Sequence, residues 1–116
     1  MRKNIFGSEN VSNEKKVMTA LAYAHKRAQL GGQQDFSGIE QSEIGSLLRR
    51  MGSPMSGEDI SSVLEKGVGL YVVDLNVKRV GRKMKIEKYD ISQSLEQTYE
   101  NYLMEIGLLK VNLKKI

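Results

Sequence analysis

In residues 69–91, GLYVVDLNVKRVGRKMKIEKYDI, the spacing of apolar residues changes from a helical period to a period of two. Apolar and polar residues alternate through its first half, with the apolar ones at Val73, Leu75 and Val77. This alternation predicts a strand with one buried face. Gly81 lies in a basic turn that precedes a second alternating segment. The pattern predicts a β-hairpin over 70–91, with a bulge near Glu87 where the alternation shifts.

The hairpin also holds the positive excess of the chain. The protein has 116 residues, with 18 Lys and Arg, 14 Asp and Glu, and a net charge of +4. Residues 78–88 contain six of the basic residues and one acidic residue, a net charge of +5, so the rest of the chain carries −1. Such a concentration of charge indicates contact with a polyanion. The alternative is an exposed edge strand whose lysines prevent aggregation.

Three amphipathic helices precede the hairpin, predicted over 12–30, 41–51 and 56–67. Ser12 or Asn10 can cap the first helix, and Ser56 with Asp59 forms a capping box for the third. Residues 1–11 are predicted to be a flexible polar arm. Together with the hairpin, the helices predict one α+β domain over 12–91.

A heptad-like pattern marks the end of the chain, and it predicts a long helix over 92–116. Gly107, Val111 and Asn112 are poor helix formers, so fraying or folding back of the far end is the alternative. Its apolar positions are Leu95, Tyr99, Tyr102, Ile106, Leu109, Leu113 and Ile116. A helix of this length would extend beyond a small domain and leave its apolar edge uncovered. We therefore expect these residues to form a dimer interface with a second copy of the chain.

The composition excludes much enzyme chemistry. The chain has no cysteine, which excludes disulfides, thiolate nucleophiles and cysteine-bound metals. Its one histidine, His25, lies near the end of the first predicted helix, where interaction with the helix dipole is the simpler interpretation. We therefore expect no enzymatic activity, no metal and no cofactor. The sequence shows neither a membrane-spanning segment nor an export signal, so a cytoplasmic protein is expected.

Three stretches, at 41–48, 63–68 and 81–86, resemble the winged helix-turn-helix DNA-binding regulators of bacteria and archaea. The first, QSEIGSLL, is similar to the start of the second helix of that family. The second, VLEKGV, is similar to the end of its recognition helix, and GRKMKI to its wing turn and second wing strand. The resemblance implies a three-helix core, a β-hairpin wing and a C-terminal dimerisation helix.

The resemblance also implies two sets of DNA contacts. The recognition helix would present outward-facing residues to base edges in the major groove: Glu58, Ser61, Ser62 and Lys66. The wing would contact phosphates or the minor groove through its basic residues: Lys78, Arg79, Arg82, Lys83 and Lys85. The sequence therefore predicts a homodimeric transcriptional regulator of double-stranded DNA, and it identifies no effector.

Acidic residues in the third predicted helix leave other functions open. Glu58, Asp59 and Glu65 would repel phosphates, and Lys66 is the one basic residue beside them. A winged-helix module that binds a protein instead of DNA is therefore an alternative. An RNA-binding accessory protein is a third, although the sequence lacks the exposed aromatic pattern that stacks on bases.

Overall fold

Four α-helices and one antiparallel hairpin form the part of the chain that the structure describes. This computed structural model describes residues 5–6, 11–34 and 36–109, with the backbone alone at 74–80 and 83–87. The elements are α1 Asn13–Leu30, α2 Gln41–Arg50, α3 Gly57–Gly67, β1 Val72–Val80, β2 Lys83–Ile91 and α4 Glu96–Glu105. The predicted α+β class is confirmed. No helix in these ranges is long and apolar enough to cross a membrane.

Serine caps fix the starts of α1 and α3. The Ser12 side chain accepts a hydrogen bond from the Lys15 N–H at 3.2 Å, and Ser56 accepts one from the Asp59 N–H at 3.1 Å. Each helix begins one residue after its predicted start, because the capping residue itself is outside the helix. The end of α2 is followed by Gly52, whose φ of 78° reverses the chain direction.

The core lies where the four helices meet the base of the hairpin. Its most buried aliphatic side chains, at most 3% exposed, are Val17, Leu21, Ile44, Leu48, Ile60, Leu64, Val72, Ile91 and Leu103. Burial of each such side chain contributes about 1.5–3 kcal/mol, so these positions dominate the stability of the fold. Each of the four helices supplies at least one of them.

The prediction of a flexible arm over 1–11 is wrong at two positions. The Phe6 side chain is buried in the core, and the Ile5 N–H donates to the Met51 carbonyl at 3.0 Å. The apolar character of both side chains explains why this part of the arm packs on the body. The predicted cap residue Asn10 lies outside the described residues.

The two strands pair in one uninterrupted register. Leu75 pairs with Lys88 and Val77 pairs with Ile86, two residues further along each strand. The pairing advances by the same number of residues on both strands, so neither strand has an extra residue. The predicted bulge is therefore wrong.

The predicted inward face of β1 is also wrong at the hairpin base. Val72 and its partner Ile91 are buried, whereas Val73 is 39% exposed. Because side chains alternate along a strand, burial of Val72 directs Val73 away from the core. Ile39 adds a third piece of backbone to this end of the hairpin, since it exchanges two hydrogen bonds of 2.8 Å with Tyr89.

The C-terminal helix is shorter than predicted. A 3₁₀ turn, Gln93–Leu95, precedes α4, and α4 ends at Glu105. Gly107 then adopts a φ of 86°, which only glycine adopts readily, and Leu108 and Leu109 pack back on the core. The prediction of a continuous helix is therefore wrong over the described residues that follow Glu105.

The predicted dimer seam is largely used within the chain. Leu95, Tyr99 and Tyr102 pack against the core of their own chain, as does Leu109. Ile106 is half-buried at the end of α4. Helix α4 lies against α1, and its apolar residues pack on the core of their own chain, which accounts for the heptad-like spacing. Leu113 and Ile116 lie outside the described residues, and the homodimer stays a prediction.

Candidate nucleic-acid interface

Backbone pairing brings the basic positions of the hairpin to its closed end. Three cross-strand pairs precede the turn: Lys78 with Lys85, Arg79 with Met84, and Val80 with Lys83. The turn itself holds Gly81, with a φ of 63°, and Arg82, which is exposed. Two residues of a strand span only about 7 Å, so all five predicted contact positions fall near the tip. Four of their side chains lie outside the described part of the chain: Lys78, Arg79, Lys83 and Lys85.

The base of the hairpin is anchored to the helical body. Burial of Val72 and Ile91 and the backbone bonds between Ile39 and Tyr89 hold it there. Lys88, the remaining cation of the basic segment, donates to the Ser37 hydroxyl at 3.4 Å and is half-buried. The anchoring leaves the basic tip as the far end of a ribbon whose strands are nine residues long, about 30 Å.

His25 ties three elements together at this base. Its Nδ1 lies 3.1 Å from Asp90 Oδ1 on β2, and its Nε2 lies 2.7 Å from Glu96 Oε1 on α4. The Phe36 ring meets the imidazole edge-on at 5.9 Å. The sequence-based interpretation of His25 as a partner of the helix dipole missed both carboxylates. Asp90 is 65 residues away in the chain, so no local spacing could indicate this contact.

The outward face of α3 is exposed and carries more acid than base. Glu58, Ser62 and Lys66 are exposed as predicted, whereas Ser61 is half-buried. Asp59 and Glu65 are also exposed. On the opposite side of α3, Ile60 and Leu64 are buried, and Val63 is half-buried.

The acids of α3 have a structural explanation at its first turn. Glu58 and Asp59 follow the capping residue Ser56, where negative charge interacts favourably with the helix dipole. Glu65 lies near the other end of the helix and has no such role. The predicted α3 contacts and the predicted hairpin contacts lie on separate elements joined by the short connection 68–71.

Two tyrosines have shifted acidity, and both serve packing. Burial raises the pKa of the Tyr99 hydroxyl above its usual value of 10.0, and the negative charge of Glu14 raises it further. Burial and Glu14 likewise raise the pKa of Tyr71, whose hydroxyl donates to the Val63 carbonyl at 3.4 Å. Both shifts favour the neutral phenol, as expected of side chains that pack on a core.

Across 5–6, 11–34 and 36–109, no group of three or more His, Cys, Asp or Glu side chains is arranged to hold a metal ion. The basic positions at the hairpin tip, where Arg82 is exposed, are the feature whose chemistry points most directly to a partner. Comparisons of the chain with family models, with curated proteins and with solved structures give no match.

Proposed function

We propose that the protein binds duplex DNA, that its fold is a winged helix, and that the hairpin is the wing that makes the main contact. The order of elements supports the fold. Helix α1, a short β contribution at Ile39, helices α2 and α3 and the hairpin follow one another in the order expected for a winged helix.

The charge of the hairpin carries the proposal. Residues 78–88 have a net charge of +5 on a chain whose remainder carries −1. The hairpin register gathers five of these cationic positions at the tip, and Arg82 is exposed there. Because phosphate neutralisation releases condensed counterions, a compact cationic tip gains free energy from any duplex sequence.

In this proposal α3 has a secondary role. Its exposed acids oppose phosphates, while Ser62 and Lys66 can reach base edges where the helix approaches the groove. The affinity for DNA would then depend strongly on the wing, and the discrimination between DNA sequences would be weak.

Removal of two charges from the wing tests the proposal. We expect R82A/K83A to weaken binding to mixed-sequence duplexes at least about tenfold at low salt, because two phosphate contacts are lost. Fluorescence anisotropy with labelled duplexes measures the loss. The matched control is R49A/R50A, which removes the same charge from an exposed pair at the end of α2. Equal losses in both variants would mean that net charge, and not the wing, drives binding.

The exposed acids of α3 favour a second candidate, a winged-helix module that binds a protein. On this alternative the wild-type chain shows no duplex binding even at low salt. A charge change on α3, such as E58Q/E65Q, separates the two candidates. It should strengthen DNA binding under the main proposal, because two repulsive charges are removed.

A further inference from the structure

A cleft of about 550 Å³ lies between α1 and α2. Its size falls within the range that small-molecule sites occupy. Aliphatic side chains and two aromatic rings line much of it: Ala24, Ala28, Ile39, Leu47, Tyr23 and Phe36. Two of its lining residues are arginines: Arg27 lies in the last turn of α1, and Arg50 is the last residue of α2.

Both arginines lack an acidic partner. Within the described ranges, no carboxylate lies in ion-pair distance of Arg27 or Arg50. The Arg27 guanidinium instead lies 5.6 Å from the centre of the Tyr23 ring. Two unpaired guanidiniums beside a cleft that is apolar in part form a set of donors that suits an anion.

A second cleft, between α1 and α4, shows the opposite arrangement. It measures about 300 Å³, and its basic side chains, His25 and Lys26, already contact carboxylates. Besides the bond from His25 to Glu96, Lys26 Nζ lies 2.9 Å from Glu100 Oε1. A ligand there would have to break existing ion pairs, whereas a ligand between α1 and α2 would supply the missing charge.

We propose that the α1–α2 cleft binds a small aromatic carboxylate. The carboxylate pairs with Arg27 and Arg50, and the aromatic body lies on the apolar lining. The one acid among the described residues that line the cleft, Glu43, is seven residues before Arg50 on α2, about 10 Å along the helix axis. Along α2, this separation places the anionic group of the ligand toward Arg50 and away from Glu43. The inference does not depend on DNA binding.

Calorimetric titration of the full chain with 2-naphthoate and with neutral 2-naphthamide tests the site. We expect 2-naphthoate to bind at least about tenfold more tightly than 2-naphthamide, because the amide lacks the charge that pairs with the arginines. Equal binding of both compounds would overturn the proposal, as would the absence of naphthoate binding at about 5 mM.

Four exposed positions on the two helices refine the test. R27Q and R50Q should each weaken 2-naphthoate binding roughly tenfold. R49Q is the matched control, because the Arg49 guanidinium lies outside the cleft and donates to Ser46 at 3.1 Å; it should change binding less than about twofold. E43Q should tighten naphthoate binding about twofold by removing a like charge.

The reverse pattern would contradict the assignment. If R49Q lost as much 2-naphthoate affinity as R50Q, the anion would be responding to the general positive charge near the helix ends, and not to a defined site. Unchanged thermal midpoints in R27Q and R50Q, expected for exposed side chains, would show that any loss of affinity arises at the site itself.

Discussion

Gly67 shows how a single missing side chain shapes the junction between α3 and the hairpin. A Cβ at this position would come 2.8 Å from Tyr71 Cδ2, so the ring would have to move. Since the Tyr71 hydroxyl also bonds to Val63, that movement would disturb the end of α3. We expect Gly67→Ala to lower the free energy of unfolding by about 1–3 kcal/mol in urea denaturation.

Gly45→Ala is the control for this substitution. Its Cβ would lie 3.7 Å from Ile60 Cδ1, an ordinary contact, and α2 would gain helix propensity. We expect a stabilisation of up to about 1 kcal/mol. If Gly67→Ala were equally stabilising, the Tyr71 ring could not pack where the structure has it.

Tyr99 makes the stability depend on pH at the alkaline end. Burial, with the nearby charge of Glu14, raises the pKa of its hydroxyl above 10.0, so the folded state holds this proton more tightly than the unfolded state. The stabilisation is complete below pH 10 and is lost as pH rises through the folded pKa. Urea unfolding at about pH 8 and about pH 11 should show a smaller alkaline loss in Tyr99→Phe than in wild type. Equal losses would mean that Tyr99 is equally hydrated in both states.

Local spacing in the sequence predicted some side-chain contacts and not others. The caps at Ser12 and Ser56 followed from a serine placed three residues before its partner, so short-range sequence contained the whole interaction. The partners of His25 were not predictable, because Asp90 and Glu96 reach it only after the chain has folded. The cleft arginines were missed for the same reason, since Arg27 and Arg50 lie on different helices.

Among the elements, β1 offers a matched pair of neighbouring valines. Val72 is 1% exposed in the core, whereas Val73 is 39% exposed on the other face. We expect Val72→Ala to cost about 1–3 kcal/mol of stability and Val73→Ala less than about 0.5 kcal/mol. Chemical denaturation of both variants measures the difference. A larger loss from Val73→Ala than from Val72→Ala would mean that Val73 faces the core, as the sequence alone predicts.

Periodicity identified the elements more reliably than it identified what they pack against. The three-residue and four-residue spacing located α1, α2 and α3 to within a residue or two. The buried residues of α2 and of α3 form one stripe, whereas α1 also buries the six consecutive residues 17–22. The same spacing from Leu95 onward predicted a rod that pairs with a second chain. In the structure the apolar side of α4 packs on the core of its own chain, so the apolar spacing reflects an intramolecular contact. Gly107 was the local signal for the early end of that helix.

For the whole molecule, charge is divided between elements. A helical body with little net charge supports a cationic hairpin, and the exposed face of α3 adds mainly acid. A duplex would therefore be attracted chiefly by the hairpin tip. If four basic residues of one wing each contact a phosphate, the log–log slope of affinity against salt is about −3.6 for each bound chain, and about −7 for a bound homodimer.

The salt dependence of duplex binding, measured for the wild type and for R82A/K83A, tests whether the hairpin tip contacts the phosphates. We expect a steep linear loss of affinity for the wild type, and a slope that is smaller by about 2 per bound chain in the variant. Sedimentation of the complex in the same buffers gives the number of chains. A wild-type slope near zero, or the same slope in both proteins, would contradict binding through the hairpin tip.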